Sequence, residues 1–356
     1  MERSTNICQP VDVSIIIPVH NGEPFINESF SSIFSQTAKD YLRLEVSVYN
    51  DSSTDETSNL LKTWQEKCSL EPNITMVIGQ NTSLLPSGVG FAKNRAVQQS
   101  LGTYLCFHDI DDVMKPDRIL AQHAAAREHP LAIVGSQFKR IPKDSTTRFT
   151  RWANTLRPDQ LTKQIYTSHG PTVIMPTWFC HRQVFDRVGG FSEAGVGTPE
   201  DLVFFYEHLD RGGDVWRVDK DLVVYRYHPS ATTFSISRET IWKIRLRRLQ
   251  EKVLSRWPNF TIWNAGKQGR LLYRCLDPQF RDRATAFCDV DNKKVGRFYE
   301  PYEPGSPRTK RIPIVHFSEA TPPLVVCVKL DLTGGSFEEN LNSLNLVEGE
   351  DYVLFS

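Results

Sequence analysis

The run Val13-Ser14-Ile15-Ile16-Ile17-Pro18 constrains this chain more than any other stretch. A strand of consecutive β-branched residues that stops at a proline is apolar on both faces, so it belongs inside a covered sheet. The loop His20-Asn21-Gly22-Glu23-Pro24 leads to Phe25, Ile26, Phe30, Ile33 and Phe34 at helical spacing. A second strand is expected over Leu44–Tyr49, ending at Asn50-Asp51-Ser52-Ser53-Thr54-Asp55. A helix over Glu56–Lys67, a strand over Thr75–Ile78, a Gly-opened helix over Gly88–Gln99 and a strand over Thr103–His108 follow. This alternation predicts an α/β fold of βαβ units on a mostly parallel sheet, with its chemistry at the carboxyl ends of the strands.

The remaining chain reads less regularly. Val134 to Tyr227 mixes short strands with loops and ends in an expected strand pair, Val215–Val218 and Leu222–Tyr227. Arg238 to Trp257 is helical and basic. A second unit then opens with the strand Phe260–Trp263, the turn Asn264-Ala265-Gly266-Lys267-Gln268-Gly269 and the helix Arg270–Leu276. Strands at Ala284–Cys288 and Leu324–Lys329 follow, and Asp289 stands where a dinucleotide fingerprint places its ribose acid. The expected domains are 1–240, a basic connector helix at 241–257, and a small Rossmann-like α/β domain at 258–356.

Charge sharpens this division. The 356 residues carry 42 basic and 42 acidic side chains, and 40% are apolar, which excludes a disordered polyampholyte. Neutrality also excludes diffuse, tail-driven nucleic-acid binding. It conceals segregation, however, because residues 238–283 hold 12 basic and 4 acidic side chains. Within them Arg245, Arg248, Lys252 and Arg256 recur at spacings of three, four and four, which predicts one basic stripe beside the apolar stripe Leu246, Leu249, Val253 and Trp257. Lys139 to Arg157 is a second basic stretch. The seven cysteines form no CxxC pair, and Cys106 and Cys327 sit in apolar runs, as buried reduced thiols do. A polar start, Met1–Pro10, and no apolar run of about 18 residues give the expectation of a cytoplasmic protein.

The chemistry concentrates at Phe107-His108-Asp109-Ile110-Asp111-Asp112. Three crowded carboxylates repel one another unless a cation sits among them, and a hard divalent ion with open positions for diphosphate oxygens suits that set. With Pro18–Glu23 and Asn50–Asp55, three strand ends would frame one nucleotide-binding crevice. Farther on, Glu200-Asp201 follows a glycine-rich turn and opens a helix, and His228 ends a strand before Pro229.

These motifs, with Ala92-Lys93-Asn94, Pro199-Glu200-Asp201 and Tyr225-Arg226-Tyr227-His228, resemble glycosyltransferase family 2 of the GT-A fold over residues 10–235. The resemblance implies a nucleoside pocket lined by Pro18, Val19, His20, Glu23 and Asp51, with Lys93 facing the nucleotide and Asp109 on ribose or metal. It implies Mn2+ or Mg2+ held by Asp111 and His228, and Asp201 as general base of an inverting displacement, with Glu200 orienting a neighbour. Trp178 would sit near the acceptor. Trp178-Phe179-Cys180, Phe260–Arg270 and Val328–Gly335 further resemble a family member described with two donor–acceptor pairs. The pair favoured by the basic stripe is UDP-galactose and queuosine in tRNA, with Arg245, Arg248, Lys252 and Arg256 on phosphates. The other is UDP-GlcNAc and a galactoside. A non-catalytic nucleotide- or tRNA-binding module and an oxidoreductase are the readings from other classes.

Overall fold

The computed structural model describes residues 10–229, 231–301 and 310–356, which fall into two compact units. The first comprises the described residues up to Thr162 together with Pro171–Ser237, and the second comprises Lys163–Gly170 with Arg238–Ser356. Cys8 lies outside the described residues.

In the first unit β1 (Val13–Val19), α1 (Glu23–Phe34), β2 (Leu44–Asn50), α2 (Thr57–Cys68), β3 (Ile74–Gln80), α3 (Val89–Gln98) and β4 (Tyr104–Phe107) alternate as expected. There follow β5 (Val113–Met114), α4 (Arg118–Glu128), β6 (Ala132–Ile141), α5 (Thr147–Thr155), β7 (Phe179–His181), α6 (Arg182–Val188), α7 (Glu200–Asp210) and β8 (Asp214–Arg226). The sheet order is β3-β2-β1-β4-β7-β6-β8-β5. The first four strands are mutually parallel, β7 runs antiparallel between β4 and β6, and β8 is parallel to β6. The α/β class and the parallel-dominated sheet are therefore both present.

Every residue of β1 is buried, which is why its run is apolar apart from Ser14, whose hydroxyl donates to Glu45 Oε2 at 2.6 Å. Pro24 and Glu23 start α1, where a fixed φ and the helix dipole favour them. The helix buries Ile26, Phe30 and Ile33 and closes Phe30 and Phe34 on Trp64 of α2, at ring separations of 5.4 and 5.2 Å. The expected strand pair near residue 220 is instead the single strand β8. Its register against β6 slips between Ser136 and Phe138, so Asp219-Lys220-Asp221 forms an irregularity within one strand rather than a turn between two.

The second unit contains α8 (Arg238–Leu249), β9 (Phe260–Trp263), α9 (Lys267–Cys275), α10 (Pro278–Arg281), β10 (Ala284–Asp289), β11 (Phe298–Tyr299), β12 (Ile312–His316), β13 (Leu324–Val326), α11 (Ser336–Ser343) and β14 (Tyr352–Leu354). The helix expected as a connector is thus counted inside this unit. The strands β12-β10-β9-β13-β14 are all parallel, an order that reverses direction at β9 as doubly wound sheets do. Gly269 lets α9 approach β9, since a Cβ there would lie 2.0 Å from the Asn264 carbonyl oxygen. Asp289 spends its carboxylate internally: Oδ2 accepts from the Ala265 N–H and Lys294 Nζ, and Oδ1 from the Asp291 N–H. It pins strand ends rather than presenting a free acid to a ribose. Among the described residues five cysteines are buried and only Cys275 is exposed, and no helix is long and apolar enough to cross a membrane.

Candidate active site

The carboxyl ends of β1, β2 and β4 lie side by side because those strands are parallel neighbours. They open into a cleft of about 750 Å³ within the first unit. Pro18, Val19, His20, Asp51, Lys93, Asp109, Asp111, Glu200, Asp201 and His228 all line it. Ten residues expected at the site are therefore brought together, from positions spread over more than two hundred residues.

The β1 and β2 ends are stitched beyond the strands. The Asp51 N–H donates to the Val19 carbonyl at 2.8 Å, and His20 Nδ1 donates to the Asp51 carbonyl at 2.7 Å. That bond leaves His20 Nε2 to accept from Asn21 Nδ2 at 3.2 Å. The Asp51 carboxylate holds the following loop: Oδ1 accepts from Asn81 Nδ2 (2.7 Å) and the Ser87 N–H (3.0 Å), and Oδ2 from the Gly88 N–H (2.8 Å). Gly88 at φ +104° turns this loop into α3.

Glu23 is not part of the cleft. It sits exposed at the first position of α1, donating its N–H to Asp55 Oδ2 and accepting the Glu56 N–H on Oε2. Its side chain ties the starts of α1 and α2 instead.

The carboxylates after β4 cluster tightly, with one oxygen each from Asp109, Asp111 and Asp112 within 4.8 Å of one another. Burial pushes Asp109 up to about 6, with Lys93 opposing and Asp111 and Glu200 adding to the rise. Asp112 is pushed well above the ordinary range by burial, Asp111 and Asp109. Its Oδ1 accepts the Arg226 N–H at 2.8 Å, while Oδ2 is buried with no hydrogen-bond partner among the described residues. His228 Nε2 lies 2.7 Å from Asp111 Oδ2. Hard carboxylate oxygens, one imidazole and an orphaned buried oxygen fit an Mn2+ or Mg2+ ion.

Across the cleft Lys93 and Glu200 form an enclosed ion pair, Nζ to Oε1 2.9 Å, with Met175 Sδ 3.0 Å from the same nitrogen. Burial alone would lower Lys93, but Glu200, Asp109 and Asp201 outweigh it and hold the ammonium above its ordinary value. Lys93 is thus committed to Glu200. Next to it Asp201, in the first turn of α7, is pushed up to about 7 by burial and then by Glu200, with Lys93 and the Leu202 N–H opposing. Asn94 sets this side of the cleft by donating to the Phe191 carbonyl and to Glu193, and accepting the Phe191 N–H.

The acceptor-side expectations need correction. Trp178 is only 1% exposed, stacks on Phe191 and packs at a tilt against Phe204 and Phe205, and donates its indole N–H to the Val173 carbonyl. It packs the core beneath the cleft and cannot touch an acceptor. Arg245 is 2% exposed, donating to the Tyr166 and Ser356 carbonyls, and Arg248 is likewise buried, whereas Lys252 and Arg256 are exposed. The stripe breaks because Gln250–Leu254 is a π-helical turn, whose wider winding rotates every later residue out of α-helical phase.

Some contributors were not singled out from the sequence. Asn81 and Phe25 are two; the buried His108–Arg118 pair is another, with Arg118 donating to the Phe107 and Pro176 carbonyls beneath the cleft. Arg226 lay in view beside His228, and strand periodicity would have placed both on one face.

Comparison with known proteins agrees with this architecture. The Glycosyl transferase family 2 model matches residues 14–189. Over 268 residues the chain is 24% identical to the uncharacterized glycosyltransferase EpsJ of Bacillus subtilis (strain 168), covering 74% of each. Over 107 residues it is 35% identical to chondroitin synthase of Escherichia coli, covering 30% of this chain and 14% of that protein. The solved structure of S. aureus TarS 1-349 in complex with UDP is similar in fold, with a TM-score of 0.51 at 19% identity, over 68% of this chain and 66% of that one. The family model and the relatives together indicate a glycosyltransferase family 2 domain over residues 14–189 and an enzyme.

Proposed function

We propose that the chain transfers one hexose, with inversion, from a UDP-sugar lying across the ends of β1, β2 and β4 to an acceptor hydroxyl presented to Asp201. The observation that carries this reading is the convergence of Asp51, Asp109, Asp111, His228 and Asp201 on one cleft. Pro18, Val19, His20 and Asp51 form the wall for the nucleoside. Asp201 takes the acceptor proton as the acceptor oxygen bonds to the anomeric carbon. The bond from that carbon to the diphosphate oxygen breaks, and its electron pair leaves with UDP. A carboxylate held up to about 7 is close to the operating pH, where a general base is most effective. Lys93 neutralises Glu200, which leaves Asp201 as the acid of the pair available to substrate. Asp111 and His228, with Asp109 and Asp112 beside them, would hold a divalent cation, which when bound neutralises charge on the departing diphosphate.

We assign UDP-galactose as donor and queuosine in tRNA as acceptor, met in the cytoplasm. The whole-length resemblance supports this, as do Lys252 and Arg256, exposed in the second unit for phosphate contact. The test incubates purified protein with UDP-galactose, Mn2+ or Mg2+ and queuosine-containing tRNA. The expected result is a gain of one hexose on the modified nucleoside, absent from tRNA lacking queuosine. Transfer from UDP-GlcNAc to a galactoside in the parallel reaction, with no hexose on tRNA, would replace this assignment.

A further inference from the structure

The end of β8 grips the carboxylate cluster at more points than a metal ligand requires. The Arg226 backbone N–H donates to Asp112 Oδ1 at 2.8 Å, and its Nε–H donates to the Asp111 carbonyl at 2.9 Å. Its guanidinium also pairs with Glu28 of α1. Phe25, one turn before Glu28, packs its ring at a tilt against His228 with centroids 5.1 Å apart and carries the Arg226 guanidinium 5.5 Å from its own centroid. Asp111 is thus held through its main chain by Arg226 and through its carboxylate by His228, while α1 fixes both holders.

We propose that Arg226 is a positioning residue that sets Asp111 and His228 for divalent-cation binding, with Glu28 and Phe25 bracing it. The inference rests on the reading of Asp111 and His228 as metal ligands. Two physical effects of Arg226 oppose each other. Its positive charge repels a cation, so if charge were its main effect, removing it would tighten metal binding. Its hydrogen bond to the Asp111 carbonyl orients a ligand, and loss of such outer contacts weakens metal binding about 10- to 100-fold. Glu28 opposes that charge and surrounding solvent screens it, so orientation is the effect expected to govern the outcome.

The experiment titrates Mn2+ by electron paramagnetic resonance, with UDP present, into the full chain and into Arg226→Met, Arg226→Lys, Glu28→Gln and Asp111→Asn. Arg226→Met should weaken Mn2+ binding about tenfold or more. Arg226→Lys should weaken it comparably, because lysine keeps the charge but lacks the Nε–H aimed at Asp111. Glu28→Gln, on an exposed helix face that tolerates substitution, should weaken it several-fold and carries the test if Arg226→Met fails to fold. Unchanged or tighter Mn2+ binding in both Arg226 variants, with Asp111→Asn abolishing it, would overturn the role of Arg226. Full Mn2+ affinity in Asp111→Asn would overturn the metal reading beneath it.

Discussion

Lys93 Nζ sits 2.9 Å from Glu200 Oε1, and both side chains are almost wholly enclosed. A lysine expected to face a nucleotide is instead the counter-ion of an acid one residue from the proposed base. Removing one partner of such a pair strands a buried charge, at a cost of about 3–5 kcal/mol. Lys93→Met should therefore lower stability to urea by roughly that amount, and Lys93→Met with Glu200→Gln should cost less than the two single changes summed.

The same pair sets the pH response. Asp201 must be ionised to accept a proton, so kcat/KM should rise with pH through about 7 and level off above it. Glu200 holds Asp201 up and Lys93 holds it down. Glu200→Gln should therefore move the acidic limb to lower pH, and Lys93→Met should move it to higher pH. Limbs that stay in place in both variants would detach the profile from Asp201.

Asp51 is expected to act through the loop it anchors. Asp51→Ala leaves the Ser87 and Gly88 amides and Asn81 without their acceptor. Unmade buried hydrogen bonds cost about 1–3 kcal/mol each. Amide hydrogen exchange over 81–88 should accelerate at least tenfold, with weakened UDP binding and little change elsewhere.

The basic segment holds two kinds of basic side chain, exposed and buried. Under the proposed tRNA acceptor, Lys252→Glu with Arg256→Glu should weaken tRNA binding and flatten its dependence on salt by roughly one unit of log–log slope per lost phosphate contact. Arg245→Met should instead lower thermal stability, because Arg245 satisfies the Tyr166 and Ser356 carbonyls. Equal loss of tRNA affinity in both would contradict this division.

The path from β1 to β4 is legible in the sequence because central parallel strands must be apolar on both faces, and their polar ends then mark the cleft. The site acids Asp109 and Asp111 are legible for the same reason, lying just past the end of buried β4, whereas Asp201, at the start of α7, is singled out only by the family resemblance. Other features depend on contacts distant in sequence. Asp219-Lys220-Asp221 has turn composition, but pairing with β6 keeps it within a strand. Trp178 has the composition of a ligand-stacking site, but Phe191, Phe204 and Phe205 enclose it. Arg245 would face solvent as part of a basic stripe, but the Tyr166 and Ser356 carbonyls, distant in sequence, hold it in the interior.

Asp201 is the proposed base, and Asp201→Asn tests that role directly in single-turnover transfer from UDP-galactose to queuosine-containing tRNA. The substitution preserves shape and removes the proton acceptor. Transfer should fall about 10²- to 10⁴-fold while UDP affinity stays within twofold. Transfer within tenfold of the unsubstituted enzyme would contradict the assignment.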